Sequence, residues 1–400
     1  MKKILVVLDG AADYPSPTPL QKAFKPNLNE IGRNSVLLKA RIAGTLAPES
    51  DVGVLSVLGF KNLKIGRGAL EALGMNEYHG KSLYLRVNFA TEKNNTIIDR
   101  RAGRSLTDDE AEKLAGDINR IKFKYKFKFT HTISHRGVLE IKMNGSKNIS
   151  NTDPAYVKTK GGLTQALKKF SNKVQMCRPL DKSRASVETS SALNELSEKI
   201  RFALNKSRIN EKRIMKKLPA ANILLFRDAE TNVKMTKKFK NWSIIADMPL
   251  ERGIGKMLGM NVVKVEEDQS GKGYVERAKI VNKIIKKSEG IYIHIKGPDI
   301  FAHDGNWNGK KRNIELIDKY FFNGIKELIG NARVIVTCDH TTSCRAKAHT
   351  NNPVPVLISG LGVKGTKNSF EEGAKEEIKG YEIMKIMNKA IVKRGTPYFH

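Results

Sequence analysis

Short apolar runs alternate with longer stretches of helical spacing along most of the chain. Lys2–Leu8 reads as a buried strand that stops at Asp9-Gly10. Residues 15–19 form a turn-rich loop, 28–34 carry a helical pattern, and a second loop at 45–51 leads into 52–58. Far downstream come three more strand-like runs, Trp242–Ala246, Gly290–Ile295 and Ala332–Thr337, beside long periodic stretches at 274–288 and 312–329. Strands alternating with helices predict an α/β fold, a mostly parallel sheet with helices on both faces. The middle of the chain reads differently. In 121–129, IKFKYKFKF, Ile121, Phe123, Tyr125, Phe127 and Phe129 share one face and the lysines the other, the period-two signature of a half-buried strand. Further strands are expected at 138–142 and 221–226, and a helix over 190–205. This predicts a smaller α+β domain at 75–238, inserted into a discontinuous first domain formed by 1–74 and 239–400, with hinges near 72–76 and 236–241.

Length and composition narrow the class. At roughly 100–200 residues per domain, 400 residues suggest two or three. With 40% apolar and 28% charged residues the chain is neither wholly disordered nor collagen-like. Its apolar runs fall far short of the ~18 residues that mark a membrane span. MKKILVVLDG has no small-residue cleavage site and reads as a first strand, not a signal peptide. A soluble, cytoplasmic protein is expected. Cys177, Cys338 and Cys344 supply neither a disulfide framework nor zinc-ribbon spacing, which fits a reducing compartment. Lys plus Arg exceed Asp plus Glu by 72 to 41, a net charge of +31 that favours anionic partners without specifying them.

In parallel sheets, function collects beyond the carboxyl ends of strands. Asp9 follows the first strand. Lys296-Gly297-Pro298-Asp299 and His303 follow Gly290–Ile295. Cys338-Asp339-His340 and then His349 follow Ala332–Thr337. Three strand ends thus deliver three aspartates and three histidines, and the spacing of Asp299 and His303 puts both on one side of a helical turn. A lone strand-end aspartate is ordinarily a cap or turn former, and a lone histidine a surface or core residue. The combination instead suits divalent ions with mixed oxygen and nitrogen ligands, and six such groups are enough for two ions. Cys338 and Cys344 are expected to be packing residues. Two ions close together activate an oxygen and stabilise a transferred phosphoryl group. Ser50, in Ala47-Pro48-Glu49-Ser50-Asp51 ahead of a helical stretch, is the candidate oxygen, although a serine there also serves as a helix cap.

LVVLDG, ESDVGVLSVLGF, HIKGPDIFAHDG and CDHTTSCRAKAH resemble the metal-site motifs of the alkaline phosphatase superfamily. More narrowly, the chain resembles the archaeal type of 2,3-bisphosphoglycerate-independent phosphoglycerate mutases. Gly66-Arg67-Gly68, VNFAT at 87–91, DRRAGR at 99–104, HRGVL at 135–139 and Thr152-Asp153-Pro154 extend the resemblance through the middle. It implies an alkaline-phosphatase-like sheet and a cytoplasmic enzyme of glycolysis and gluconeogenesis. That enzyme interconverts 3-phosphoglycerate and 2-phosphoglycerate without 2,3-bisphosphoglycerate. Two divalent ions (Mn²⁺, Mg²⁺, Co²⁺ or Zn²⁺) are implied, one held by Asp299, His303 and His349, the other by Asp9, Ser50, Asp339 and His340, with Ser50 the nucleophile that becomes phosphoserine. The inserted domain would bind substrate through Arg100, Arg101, Arg104, Arg136 and Arg227, with His135 and Asp153 on glycerate hydroxyls or a proton. Its closure would hold the glycerate and exclude water.

Three positions depart from the resemblance. Glu49 stands where a small residue is expected. Arg227 lies in RDAE instead of RGAG. Arg252, in ERGIG, replaces a lysine whose phosphate contact it would have to keep. Other readings are a phosphatase or mutase with the same metal core acting on another phosphorylated small molecule, a dehydrogenase suggested by Gly253, Gly255 and Gly259, and a basic nucleic-acid-binding protein suggested by +31 and 121–129. The dehydrogenase lacks a placed acidic residue, and the lysines of 121–129 alternate with a core face without a base-stacking motif. The expected partner is therefore a small phosphorylated metabolite, with no membrane and no specific nucleic acid.

Overall fold

The computed structural model describes every residue except 45–46, 62–64, 159–163, 168 and 394–400. The chain forms two compact units, one of Met1–Leu63 with Thr236–His400 and one of Lys64–Met235.

The first unit is built on an eight-stranded sheet. Its order is Asn261–Lys264, Trp242–Ala246, Gly290–Ile295, Lys2–Leu8, Ala332–Thr337, Val354–Gly360, Ser35–Arg41 and Glu377–Lys379. The pairings are parallel except the two made by Val354–Gly360, which are antiparallel. Every residue of Trp242–Ala246, Gly290–Ile295 and Ala332–Thr337 is buried, as expected of strands covered on both faces. Register decides what happens at the sheet's edge. Leu8 pairs with Ile295 and Val7 with Thr337, so one residue beyond the ladder Asp9 stands level with Lys296 and Asp339. Three neighbouring parallel strands therefore release Asp9, Lys296 and Asp339 at the same end.

The second unit is antiparallel. Thr96–Asp99, Leu83–Lys93, Arg136–Ile141 and Phe127–Ile133 follow one another in the sheet, and Ile223–Glu230 pairs with Leu83–Lys93. Helices Asp108–Asn119 and Arg184–Asn205 add Leu114, Ile118, Leu193, Leu196 and Ile200 to a core with Val87, Phe89 and Phe129.

Some sequence expectations shift. The boundary expected at 75 falls at 64, because helix Arg67–Gly74 packs on strand Leu83–Lys93. The hinge expected at 72–76 is thus the end of a helix, and the crossing lies among 62–64, outside the described residues. The strand expected over 121–129 begins only at Phe127. Ile121, Phe123 and Tyr125 do pack against the core and the intervening lysines are exposed, but 121–126 forms no ladder with the described residues. Alternation reports which side is buried; a strand also needs a backbone partner. No helix among the described residues is long and apolar enough to cross a membrane.

Candidate active site

Asp9, Asp339 and His340 come together at the carboxyl edge of the large sheet, and Asp299, His340 and His349 form a second group sharing His340. Helix Gly297–His303 carries Asp299 and His303 one turn apart. A two-stranded ribbon, Thr341–Ser343 with Ala348–Thr350, pairs Thr342 with His349 and so returns His349 to the site, its ring stacked 3.8 Å from that of His340. His340 Nε2 lies 3.2 Å from Asp9 Oδ1 and 3.3 Å from Asp339 Oδ2. His349 Nε2 and His303 Nε2 lie 3.6 and 3.5 Å from Asp299 Oδ1 and 3.2 Å from each other.

Ser50 is the first residue of helix Ser50–Val57, whose cap position is taken by Glu49 without a side-chain cap bond. The Ser50 hydroxyl is buried and stands 3.5 Å from His340 Nε2. Close approach demands glycine twice. A Cβ on Gly53 would lie 2.4 Å from the Asp339 carbonyl oxygen. One on Gly10, where φ is +57°, would lie 2.6 Å from Thr342 Oγ1 and 2.8 Å from Asp299 Oδ1.

The hydrogen bonds fix which imidazole nitrogen faces the cluster. A carbonyl oxygen only accepts, so His303 Nδ1–H donates to Lys347 O and His349 Nδ1–H to Pro48 O. Thr342 spends its proton on Asp299 Oδ1, so His340 Nδ1–H must donate to Thr342 Oγ1. All three rings turn Nε2 toward carboxylate oxygens, of which Asp9 Oδ1 and Asp339 Oδ2 are buried without a hydrogen-bond partner among the described residues. This donor set fits divalent cations.

The electrostatics agree. Burial raises the pKa of Asp9 and Asp299, but Lys296 and the surrounding histidines outweigh it and hold both carboxyls well below the usual range. Burial together with Asp9 pushes Asp339 up. His349 is raised to about 9 despite burial by Asp299, Glu49 and the Pro48 carbonyl. Glu49, unexpected beside Ser50, thus adds negative charge to this group. Lys296 was not among the sequence candidates, although it follows its strand directly. Its Nζ donates to Asp9 Oδ2 at 2.6 Å and to Asp299 Oδ2 at 3.3 Å, tying the two groups together. Thr342 and His294 were also missed. Cys338 and Cys344 are buried free thiols, both pushed up by burial, Cys344 to about 12.

The second unit gathers a different set. Burial and then Arg136, Arg101, Arg86 and Arg227 push His135 down to about 2, which keeps it neutral amid crowded positive charge. Burial and Arg67, Arg227 and Arg136 push Arg86 down to about 9, against the pull of Glu71. Arg86 and Arg67 were not foreseen as site residues. Arg101 precedes and Arg104 ends the run Ala102–Arg104, whose three residues have φ of 47°, 70° and 51°, a left-handed stretch of the kind that collects at functional loops. Arg100 is committed elsewhere, its fork gripping buried Asp153 through two 2.7 Å bonds. Arg227 stacks 4.0 Å over Tyr156. The next residue, Asp228, keeps a left-handed φ of 58° where the resemblance predicts glycine; aspartate is among the residues that tolerate it. Arg252 lies in the first unit on helix Pro249–Met257, among Asp247, Glu251 and Glu266.

Comparison with known proteins places this geometry. The sequence model of the 2,3-bisphosphoglycerate-independent phosphoglycerate mutases matches residues 38–210. A protein of that name from Aeropyrum pernix is 36% identical over 93% of this chain and 94% of its own. The 2,3-bisphosphoglycerate-independent phosphoglycerate mutase 1 of Methanocaldococcus jannaschii is 31% identical over 96% of each. The fold matches a Pyrococcus horikoshii protein with a TM-score of 0.76 at 23% identity over 96% of each chain. It also matches the cofactor-independent phosphoglycerate mutase of Thermoplasma acidophilum, with a TM-score of 0.60 at 25% identity over 96% of this chain and 98% of that one. The chain belongs to the 2,3-bisphosphoglycerate-independent phosphoglycerate mutase family.

Proposed function

We infer that the protein interconverts 3-phosphoglycerate and 2-phosphoglycerate through a phosphoserine at Ser50, in the cytoplasm and without 2,3-bisphosphoglycerate. One observation carries the reading: three imidazoles, each with Nδ1 bonded to an oxygen acceptor, turn Nε2 onto carboxylate oxygens beside the buried Ser50 hydroxyl. Asp299, His303 and His349 would hold one divalent ion, and Asp9, Ser50, Asp339 and His340 a second. Such a pair lowers the pKa of a bound hydroxyl and screens the charge of a phosphoryl group.

The chain's own residues do the rest. Ser50 Oγ gives up its proton and forms a bond to phosphorus as the bond from phosphorus to the glycerate oxygen breaks, and the freed glycerate oxygen takes up a proton, so that none is gained or lost overall. Reversal toward the other hydroxyl yields the isomer. Lys296 keeps the carboxylates of Asp9 and Asp299 ionised, and its ammonium adds positive charge next to the reacting phosphoryl. Arg101, Arg104, Arg136 and Arg227 bind the carboxylate and phosphate of the substrate. Neutral His135 and the Asp153 carboxylate, held by Arg100, contact its hydroxyls.

The test is metal-stripped protein assayed with 3-phosphoglycerate after adding back Mn²⁺, Mg²⁺, Co²⁺ or Zn²⁺ singly, beside Ser50→Ala. Activity should return with divalent metal, yield 2-phosphoglycerate and not free phosphate, and vanish in the folded alanine variant. Release of phosphate alone would make the protein a phosphatase. Full activity of Ser50→Ala would remove the phosphoserine.

A further inference from the structure

His294 lies inside strand Gly290–Ile295, fully buried, and belongs to neither candidate metal group. Its Nε2 is 3.1 Å from Asp9 Oδ2, and its Nδ1 is 2.9 Å from the Tyr292 hydroxyl, two residues along the same face. A carboxylate oxygen only accepts, so His294 Nε2 carries the proton in either charge state of the ring. That is the opposite arrangement from His303, His340 and His349, whose Nε2 atoms face the cluster as ligands. Asp9 Oδ2 receives a second donor, Lys296 Nζ, at 2.6 Å, while Asp9 Oδ1 has no hydrogen-bond partner among the described residues and lies 3.2 Å from His340 Nε2. Buried Glu251 also approaches Nε2, with Oε1 3.8 Å from it and Oε2 without a hydrogen-bond partner among the described residues.

We propose that Tyr292 and His294 form a buried hydrogen-bond relay that locks the Asp9 carboxylate by its Oδ2 and thereby presents Oδ1 alone to the cation. His294 is a positioning residue in this scheme. It never touches substrate or metal, and Tyr292 fixes its ring orientation from the far side. The two residues share a face because successive strand side chains alternate, so positions 292 and 294 point alike. The sheet register then sets them beside the first strand, where Val7 pairs with His294. Partners of this kind orient a ligand before the metal arrives, and losing one typically weakens binding about 10–100-fold. The proposal rests on the two-metal reading above.

The measurement is equilibrium binding of Mn²⁺ to full-length protein, without substrate. The parent should bind two ions. His294→Leu should weaken one site by about 10–100-fold and leave the other unchanged. His294→Gln, whose amide N–H can replace Nε2–H, should restore most of the loss. Tyr292→Phe keeps the ring and deletes one buried hydroxyl; it should weaken the same site roughly two- to ten-fold. It also carries the test alone should the leucine variant not fold. Two undiminished sites in His294→Leu or Tyr292→Phe would overturn the relay and leave the two-metal reading standing. So would equal weakening of both sites, or a glutamine variant as weak as leucine. A parent that binds no Mn²⁺ would overturn both readings together.

Discussion

Thr342→Val tests how the two metal groups are coupled. The Thr342 hydroxyl is buried, accepts from His340 Nδ1 at 2.9 Å and donates to Asp299 Oδ1 at 2.9 Å. Valine keeps the shape and removes both bonds. His340 Nδ1–H is then a buried donor without an acceptor, which costs about 1–3 kcal/mol. Asp299 loses one of its donors, worth about 1 kcal/mol more. The metal-free protein should therefore lose about 2–4 kcal/mol in urea denaturation. The unanchored His340 ring no longer keeps Nε2 on Asp9 and Asp339, so Mn²⁺ affinity should fall about 10–100-fold by equilibrium binding. Thr342→Ser retains the hydroxyl and should stay close to the parent in both measurements. A valine variant within ~0.5 kcal/mol of the parent in stability, with parental affinity, would show that Thr342 does not link the two groups.

Other perturbations probe other parts of the scaffold. Fully buried Arg213 donates to Pro219 O, Ser105 O, Ser105 Oγ and Glu110, and so pins the left-handed loop that holds Arg101 and Arg104; Arg213→Met should cost about 3–5 kcal/mol in urea denaturation and raise KM, and an unchanged KM would separate that loop from substrate binding. Gly53→Ala forces a Cβ against the Asp339 carbonyl oxygen and displaces the helix bearing Ser50; kcat should fall by about 10²-fold, and a parental kcat would show that the packing yields elsewhere. His135 has a folded pKa of about 2 against ~6.5 unfolded, so the unfolded chain takes up the proton first as pH falls. Its contribution is flat above about pH 7 and drains by up to about 1.4 kcal/mol per pH unit between ~6.5 and about 2; His135→Gln should flatten the slope of stability against pH in that window, and equal slopes would contradict the burial of a neutral ring.

Much of the large sheet is legible in the sequence because its strands are covered on both faces. Lys2–Leu8, Trp242–Ala246, Gly290–Ile295 and Ala332–Thr337 read as continuous apolar runs, and each is found as a strand with those bounds. The antiparallel strands are harder. Val354–Gly360 and Ser35–Arg41 were not foreseen, since VPVLISG contains a proline and SVLLKAR follows a helical pattern without a break. The segment 121–126 was misread for the converse reason: its aromatic side chains find a core although its backbone finds no ladder.

The site shows where residue type stops being informative. Asp9, Asp299, His303, Asp339, His340 and His349 follow strand ends, and position alone marks them as a set. His294 is the same residue type one strand away, but it lies within an apolar run where a histidine looks like core. What separates it from His340 is not composition or spacing. Both rings turn Nε2 toward carboxylate oxygens; the difference is the partner of Nδ1, a threonine hydroxyl whose proton is already given to Asp299 and which therefore only accepts in one case, and the Tyr292 hydroxyl, which can donate, in the other. Those partners come from Thr342, two residues on in a ribbon, and from Tyr292, two residues back in a strand, and they act only once register has aligned them with Asp299 and Asp9. Lys296 follows the same logic. In sequence it is one lysine in a chain with an excess of 31 positive charges. In the fold its ammonium lies within hydrogen-bonding reach of both Asp9 and Asp299.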